Sequence, residues 1–173
     1  MIEKIILVDK NDNPVGEAEK LEAHQNGGKL HRCFSIFIFN SKGEMLLQRR
    51  GNGKYHFGGL WTNTCCGHPN VGETTEAAAS RRLEEEMNFI CDLKEILQFT
   101  YKATHSSGLT EWEYDHVFTG KFDGSVNPNH EEADGYVFMT LPQITTDLAK
   151  HPENYTPWFK IAFPKVLKTI GKE

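Results

Sequence analysis

The stretch 67–89, which reads GHPNVGETTEAAASRRLEEEMNF, joins a glycine-containing loop to an acidic helix. The pattern predicts a helix over 74–87, because a threonine can cap its start and Leu83 and Met87 continue an apolar face begun by alanines. Carboxylates on such a helix can hold Mg²⁺, and Mg²⁺ can hold the oxygens of a diphosphate. The alternative for this stretch alone is a surface helix whose glutamates are simply solvated.

The composition of the whole chain indicates a globular protein. Its 173 residues, 38% hydrophobic and 25% charged, predict a single domain over 1–173. The formal charge of −5 gives no reason to expect a nucleic-acid partner. The apolar run Ile5–Val8 is too short for a signal peptide or a membrane span, so we expect a cytoplasmic protein with no membrane partner. In that compartment thiols stay free, and the adjacent Cys65 and Cys66 could bridge only through a strained ring.

The order of strand and helix patterns predicts an α/β domain with a central sheet. The clearest strand is Cys33–Phe39, which is apolar, β-branched and aromatic, and a turn at 40–43 returns the chain into a second strand at 45–48. Further strands are expected at 3–9, 96–102, 111–122 and 135–140, and further helices from 141 and over 158–170.

The spacing of the opening stretch resembles the Nudix box. Five residues separate Gly67 from Glu73, and seven more separate Glu73 from Arg81. The remaining matches to the box are Leu83, Glu85 and Glu86. The sequence departs from the hydrolase form of the box at Arg82, where hydrolases carry glutamate, and at Asn88, where they carry glycine. The resemblance implies a Nudix-type mixed β-sheet sandwiched between helices. The loss of one carboxylate implies a scaffold that binds a diphosphate without cutting it.

Motifs outside the box narrow the resemblance to one family. The segments KLEAH and KLHRCFS lie upstream, WTNTCCGHP overlaps the box, and TEWEYDHVF and TPW follow it. Together they resemble the metal-dependent type I isopentenyl-diphosphate isomerases, over roughly residues 4–170. The resemblance implies an isomerase of isoprenoid precursor biosynthesis that interconverts isopentenyl and dimethylallyl diphosphate.

The resemblance implies two cation sites. The first holds a divalent ion, with manganese, zinc and magnesium all possible, on His24, His31, His68, Glu111 and Glu113. Two glutamates two positions apart on a strand point to the same face, so both can reach one ion. At the second site Mg²⁺ bound with the substrate diphosphate contacts Glu86. A rival zinc site could be drawn from Cys33, Cys65, Cys66 and His68, although it lacks a second pair of closely spaced ligands.

The resemblance also implies the catalytic groups. Cys66 is the catalytic thiol, and Glu113 is its counterpart on the other side of the substrate, with Tyr101 sharing the proton transfer. Trp158 covers the hydrocarbon, and Trp61 is a second candidate for that wall. Cys65 has no role implied, and we expect it to point away from Cys66 because neighbouring side chains on a strand diverge.

The diphosphate needs cationic partners. The resemblance implies Lys20, Arg50 and Lys54 for this role, and Arg82 of the box is a fourth candidate. The segment 1–31 therefore contributes both metal and phosphate ligands, and we expect it to order when metal binds. No heptad or large apolar stripe demands a partner subunit, so a monomer is expected. Two other readings stay open: a Nudix hydrolase of another diphosphate, and a metal-binding module without catalysis.

Overall fold

The computed structural model describes residues 3–53 and 57–172. Its strands are β1 (Lys4–Val8), β2 (Pro14–Glu19), β3 (His31–Phe39), β4 (Met45–Arg50), β5 (Trp61–Thr62), β6 (Cys65–Gly67), β7 (Leu93–Thr104), β8 (Thr110–Lys121) and β9 (Ala133–Met139). Its helices are α1 (Lys20–His24), α2 (Thr75–Met87), α3 (Leu141–Lys150) and α4 (Pro157–Ile170), and a short 3-10 helix covers Pro152–Asn154.

The strands form one mixed sheet with β3 near its centre. β3 pairs antiparallel with β1 and β6 and parallel with β8, which places His31 beside Glu113. β3 and β4 pair only at Phe39 and Met45, next to their connecting turn, because further along β6 pairs with β3 and β5 with β4. The sheet therefore opens between β3 and β4, and the cavity described below lies in that opening.

Helices cover both faces of β3. Phe34, Ile36 and Ile38 pack in one core cluster with the apolar face of α2. Phe37 points to the other face and packs with Phe159 of α4. A strand that is buried on both sides needs an almost continuous apolar run, which is the pattern seen at 33–39. The expected mixed sheet sandwiched between helices is confirmed.

The helix of the opening stretch begins and ends as its sequence predicts. The hydroxyl oxygen of Thr74 accepts a hydrogen bond from the Ala77 N–H at 3.2 Å, which caps α2. Asn88 ends the helix in the left-handed region with a φ of 56°, a conformation that asparagine tolerates better than most residues. Its side-chain amide also donates to the Asn127 carbonyl at 2.6 Å. Asparagine can therefore stand where Nudix hydrolases carry glycine.

Several elements were not predicted. β2 is an edge strand with exposed, charged residues, and α1 has only five residues, so neither carries a clear hydrophobic period. β3 begins earlier than predicted because it includes His31 and Arg32, which the apolar pattern omits. Among the described residues, no helix is both long and apolar enough to cross a membrane.

Candidate active site

A cavity of about 360 Å³ lies where β3 and β4 separate. Its walls come from β3, β4, β6, β7, β8, α1, α2 and the start of α4, so residues far apart in the chain meet there. The sequence-predicted residues that line it are Lys20, His24, Arg50, Cys66, His68, Arg82, Glu86, Tyr101, Glu111, Glu113 and Trp158. Lys54 lies outside the described residues.

The five predicted metal ligands form one buried cluster. One nitrogen or oxygen atom from each of His24, His31, His68, Glu111 and Glu113 lies within 4.8 Å of all the others. The Nε2 atom of His24 is 2.8 Å from Glu111 Oε2, and the Nε2 atoms of His68 and His31 are 2.9 and 3.3 Å from Glu113 Oε1. Parallel pairing of β3 with β8, together with α1 and the residue after β6, brings these groups to one point.

The hydrogen bonds of two histidines fit a cation at this point. Nδ1 of His24 lies 2.6 Å from the Lys20 carbonyl, and Nδ1 of His31 lies 2.7 Å from the Lys29 carbonyl. A carbonyl only accepts, so each Nδ1 carries a proton and each ring turns its Nε2 towards the carboxylates. Nε2 of His31 is buried and has no hydrogen-bond partner among the described residues. A cation between these nitrogens and the carboxylate oxygens satisfies both, so the donor set fits a divalent metal ion.

The pKa values of two histidines in the cluster shift in opposite directions. Burial works against the charged form of His24, but the hydrogen bond and negative charge of Glu111 raise its pKa. Burial lowers the pKa of His68 to about 4, although Glu113 opposes that shift. Burial alone would raise the pKa of Glu113, but the adjacent His31 and His68 hold it well below its ordinary value. Glu113 is therefore ionised and His68 neutral at physiological pH, as metal ligands must be.

The predicted catalytic residues meet at the same cavity. Cys66 on β6 lies opposite Ser35 of β3, and Tyr101 on β7 lies opposite Glu113 of β8. The Tyr101 hydroxyl donates a short hydrogen bond to Glu113 Oε2. Burial raises the pKa of the Cys66 thiol to about 12. The Arg50 guanidinium, with a nitrogen 3.9 Å from the sulfur, lowers this pKa by a smaller amount. The cavity therefore presents a protonated thiol and an ionised carboxylate that is bonded to a phenol.

The two adjacent cysteines face opposite sides of the sheet. Cys65 is fully buried in the core cluster under α2, whereas Cys66 lines the cavity. All four cysteines are free thiols, so the pair forms no disulfide. No cysteine of the described residues belongs to the metal cluster, so the rival zinc site that included Cys33, Cys65 and Cys66 is wrong. The expected divergence of the two side chains is confirmed.

Trp158 forms an aromatic wall of the cavity. Its indole N–H donates to Thr62 Oγ1 at 2.8 Å, which fixes the ring orientation. The Arg50 guanidinium carbon lies 5.0 Å from the ring centroid. Trp61, the other candidate, packs at the edge of the core around α4 and is not one of the residues that line the cavity.

Two of the predicted phosphate ligands, Lys20 and Arg82, line the cavity and are already paired with carboxylates. Lys20 Nζ lies 3.0 and 3.1 Å from the two carboxylate oxygens of Glu3, another cavity residue. Arg82 donates to Glu86 Oε1 at 2.5 Å and to Glu85 Oε2 at 2.7 Å. Glu86 itself is 5% exposed, and its carboxylate faces the cavity.

Arg81 of the box has a structural role. Its guanidinium forms a bidentate pair with Glu73, with both nitrogen–oxygen distances at 2.8 Å. The pair ties the loop before α2 to the helix. Hydrogen bonds from Arg81 lower the pKa of Glu73 despite partial burial.

Four residues near the site were missed by sequence reasoning. Glu3 and Gln48 line the cavity, and Gln48 donates to Glu86. Asp115 is fully buried beneath Ser35, and burial together with the charge of Glu113 raises its pKa to about 7. His116 is buried, with one ring nitrogen bonded to Glu95 and the other to Asp12. The only sequence signal was a polar side chain within an apolar strand, visible for Gln48.

Comparisons with known proteins agree with this architecture. Residues 29–159 match the NUDIX domain family. A Deinococcus radiodurans crystal structure superposes with a TM-score of 0.69 at 23% identity, covering 89% of this chain and all of that one. A MutT protein from Methanosarcina mazei superposes with a TM-score of 0.66 at 22% identity, covering 83% of this chain and 96% of that one. At these identities the two structures show the fold alone.

Closer relatives come from curated sequences. The Photorhabdus laumondii protein named Isopentenyl-diphosphate Delta-isomerase 2 is 52% identical over 160 residues, which is 92% of this chain and 90% of that protein. The Serratia proteamaculans Isopentenyl-diphosphate Delta-isomerase is 49% identical over 171 residues, 99% of this chain and 93% of that protein.

The fold and the box define a Nudix domain whose cavity carries a metal-ligand cluster. With relatives this similar over nearly its whole length, the chain belongs to the type I isopentenyl-diphosphate Delta-isomerase family of the Nudix superfamily. The resemblance expected from its motifs is confirmed, and so is the expectation of an isomerase.

Proposed function

We propose that this chain interconverts isopentenyl and dimethylallyl diphosphate by adding a proton to one carbon and removing a proton from another, with Cys66 and Glu113 as the flanking pair. The observation that carries the proposal is that a thiol and a carboxylate from different strands line one cavity, next to the metal cluster. Moving a double bond in this way requires an acid and a base beside the allylic unit. Tyr101, bonded to Glu113, extends the proton path on the carboxylate side.

The metal cluster would hold one divalent ion, manganese, zinc or magnesium, through His24, His31, His68, Glu111 and Glu113. When bound, the ion supplies fixed positive charge beside the reacting carbons and orients its ligands. The carboxylate of Glu113 would then be held in place by the ion and by the Tyr101 hydroxyl. A separate Mg²⁺, arriving with the diphosphate, would be held by Glu86.

The diphosphate would lie among the cationic side chains proposed for it. Arg50 and Arg82 can fork onto phosphate oxygens, while Lys20 and Lys54 supply point charges. For Lys20 and Arg82 this means exchanging carboxylates for phosphate oxygens, since both are ion-paired in this structure.

Protonation of the alkene builds a tertiary carbocation, which water would quench. The face of Trp158 can stabilise that cation through its quadrupole. Its low exposure, 4%, and its fixed orientation support a role as a dry wall over the hydrocarbon.

The proposal includes a monomeric, single-domain enzyme working in the cytoplasm. Four free thiols suit a reducing compartment. Sedimentation of the purified chain over a range of concentrations would test the monomer, because a dimer would show a rise in mass with concentration.

Proton NMR of isopentenyl diphosphate with the purified chain and divalent metal in heavy water tests the function. Dimethylallyl diphosphate that carries deuterium is the expected product. Untouched hydrocarbon signals with release of phosphate or diphosphate would overturn the proposal in favour of hydrolysis.

A further inference from the structure

Gln48 is a buried polar residue that the proposed chemistry does not use. It lies on β4 after Leu46 and Leu47, is 1% exposed and lines the cavity. A buried amide is costly unless it is hydrogen-bonded, and an apolar side chain would suit this strand better. Its amide nitrogen donates to Glu86 Oε2 at 2.9 Å, with Met87 Sδ also nearby at 3.6 Å. The contact with Glu86 therefore offsets the cost of burying this amide.

The two oxygens of Glu86 are held in different ways. Oε2 accepts from the amide of Gln48, whose strand is paired on both sides, with Thr62 of β5 and with Tyr136 of β9. Oε1 accepts from Arg82, a longer and partly exposed cation on the cavity wall. A rigid neutral donor thus holds one oxygen, and a flexible charged donor holds the other.

These two donors respond differently to a diphosphate. Arg82 already shares its terminal nitrogen between Glu86 and Glu132, and phosphate oxygens in the cavity are strong new acceptors for it. The amide of Gln48 carries no charge and is fixed by its strand, so it stays on Oε2. Once Arg82 turns to the phosphate, Oε1 of Glu86 loses its donor but keeps its position at the cavity wall, where it can bind a cation.

We propose that Gln48 is a positioning residue that holds Glu86 so that its Oε1 atom binds the Mg²⁺ accompanying the diphosphate. The inference rests on the proposed function, which places that Mg²⁺ at Glu86. A neutral donor suits the task, because it orients the carboxylate without cancelling the charge that attracts the metal. Outer hydrogen bonds of this kind orient metal ligands, and their loss commonly weakens metal binding roughly 10–100-fold.

The test is calorimetric titration of inorganic diphosphate into the full-length, metal-loaded chain over a range of Mg²⁺ concentrations. For Gln48→Leu, which removes the donor at similar volume, we expect the Mg²⁺ concentration that supports half-maximal diphosphate binding to rise roughly 10–100-fold. Diphosphate binding without Mg²⁺ should match the wild type, because the lysine and arginine ligands are intact. Gln98→Leu, on an exposed part of β7, is the matched control and should leave both quantities unchanged.

The outcomes separate this inference from the proposed function. An unchanged Mg²⁺ requirement in Gln48→Leu, or an equal loss of diphosphate binding with and without Mg²⁺, overturns the positioning role. If the leucine variant does not fold, Gln48→Asn, which keeps an amide but withdraws it from Glu86, should show the same rise. In a Glu86→Gln background, Gln48→Leu should add nothing further. A wild-type chain that binds diphosphate equally with and without Mg²⁺ would instead remove the proposed Mg²⁺ site itself.

Discussion

Replacing each of the adjacent cysteines with alanine should separate stability from turnover. Cys65 is fully buried under α2, so Cys65→Ala removes a buried group about the size of a methylene and leaves a small cavity. The expected loss of unfolding free energy is about 1–2 kcal/mol, which in a chain of this length lowers Tm by about 2–8 °C. Turnover should change less than about threefold, because the side chain points away from the cavity.

Cys66→Ala should lower turnover strongly and stability only slightly. The residue is partly buried against the cavity, so the loss of stability should be smaller than for Cys65→Ala. Removal of a general acid or base costs typically 10²–10⁴-fold in rate, and kcat should fall by roughly that factor. Thermal unfolding and deuterium incorporation into isopentenyl diphosphate measure the two effects on the same preparations. Equal losses of turnover in the two variants would refute the assignment of Cys66 to the reaction.

Three further outcomes follow from ion pairs and the metal. The pKa of Glu73 lies below its ordinary value of 4.5, so its pair with Arg81 stabilises the fold above about pH 4.5. Glu73→Gln should lower the free energy of unfolding by roughly 0.5–1 kcal/mol at pH 7, measured in urea. The difference between the variant and the wild type should vanish as the pH falls through the folded-state pKa of Glu73. Glu3→Gln should tighten inorganic diphosphate binding about two- to fivefold, because it frees the paired Lys20. The control Glu17→Gln, which removes an exposed ion pair with Lys4, should leave this binding unchanged. Weaker binding in Glu3→Gln would show that the carboxylate positions the lysine instead. Chelation of the divalent ion should speed proteolysis within residues 1–31, and identical digestion with and without metal would count against ordering of that segment.

The sequence predicted the elements whose residues are apolar or regularly spaced. β3 and α2 were recognisable because each buries a continuous run or a helical stripe against the core. β2 and α1 escaped because an exposed edge strand and a one-turn helix are held by pairing and by neighbouring contacts rather than by their own pattern. The separation of β3 from β4 was also invisible, since it depends on how β5 and β6 insert between them.

The site was predictable where a residue takes part in a recognisable motif. The histidines and glutamates of the metal cluster and the thiol of Cys66 were placed by family resemblance, and the structure brings them together. Gln48 and Glu3 were not predicted, because their importance comes from partners on other elements. A glutamate near the start of a chain has no distinguishing pattern, and a glutamine in an apolar strand shows that it needs a buried partner but not which one.

The parallel pairing of β3 with β8 also sets the order in which this protein can be assembled. Parallel neighbours need a long intervening connection, so His31 and Glu113 meet only after β6, α2 and β7 have been synthesised and β8 has docked. Such non-local pairing forms late, because the entropy of closing a long loop must be overcome first. A nascent chain released before β8 would hold histidines without carboxylates. The five clustered side chains therefore come together only once β8 has paired with β3, so metal binding would report that this long-range pairing has formed.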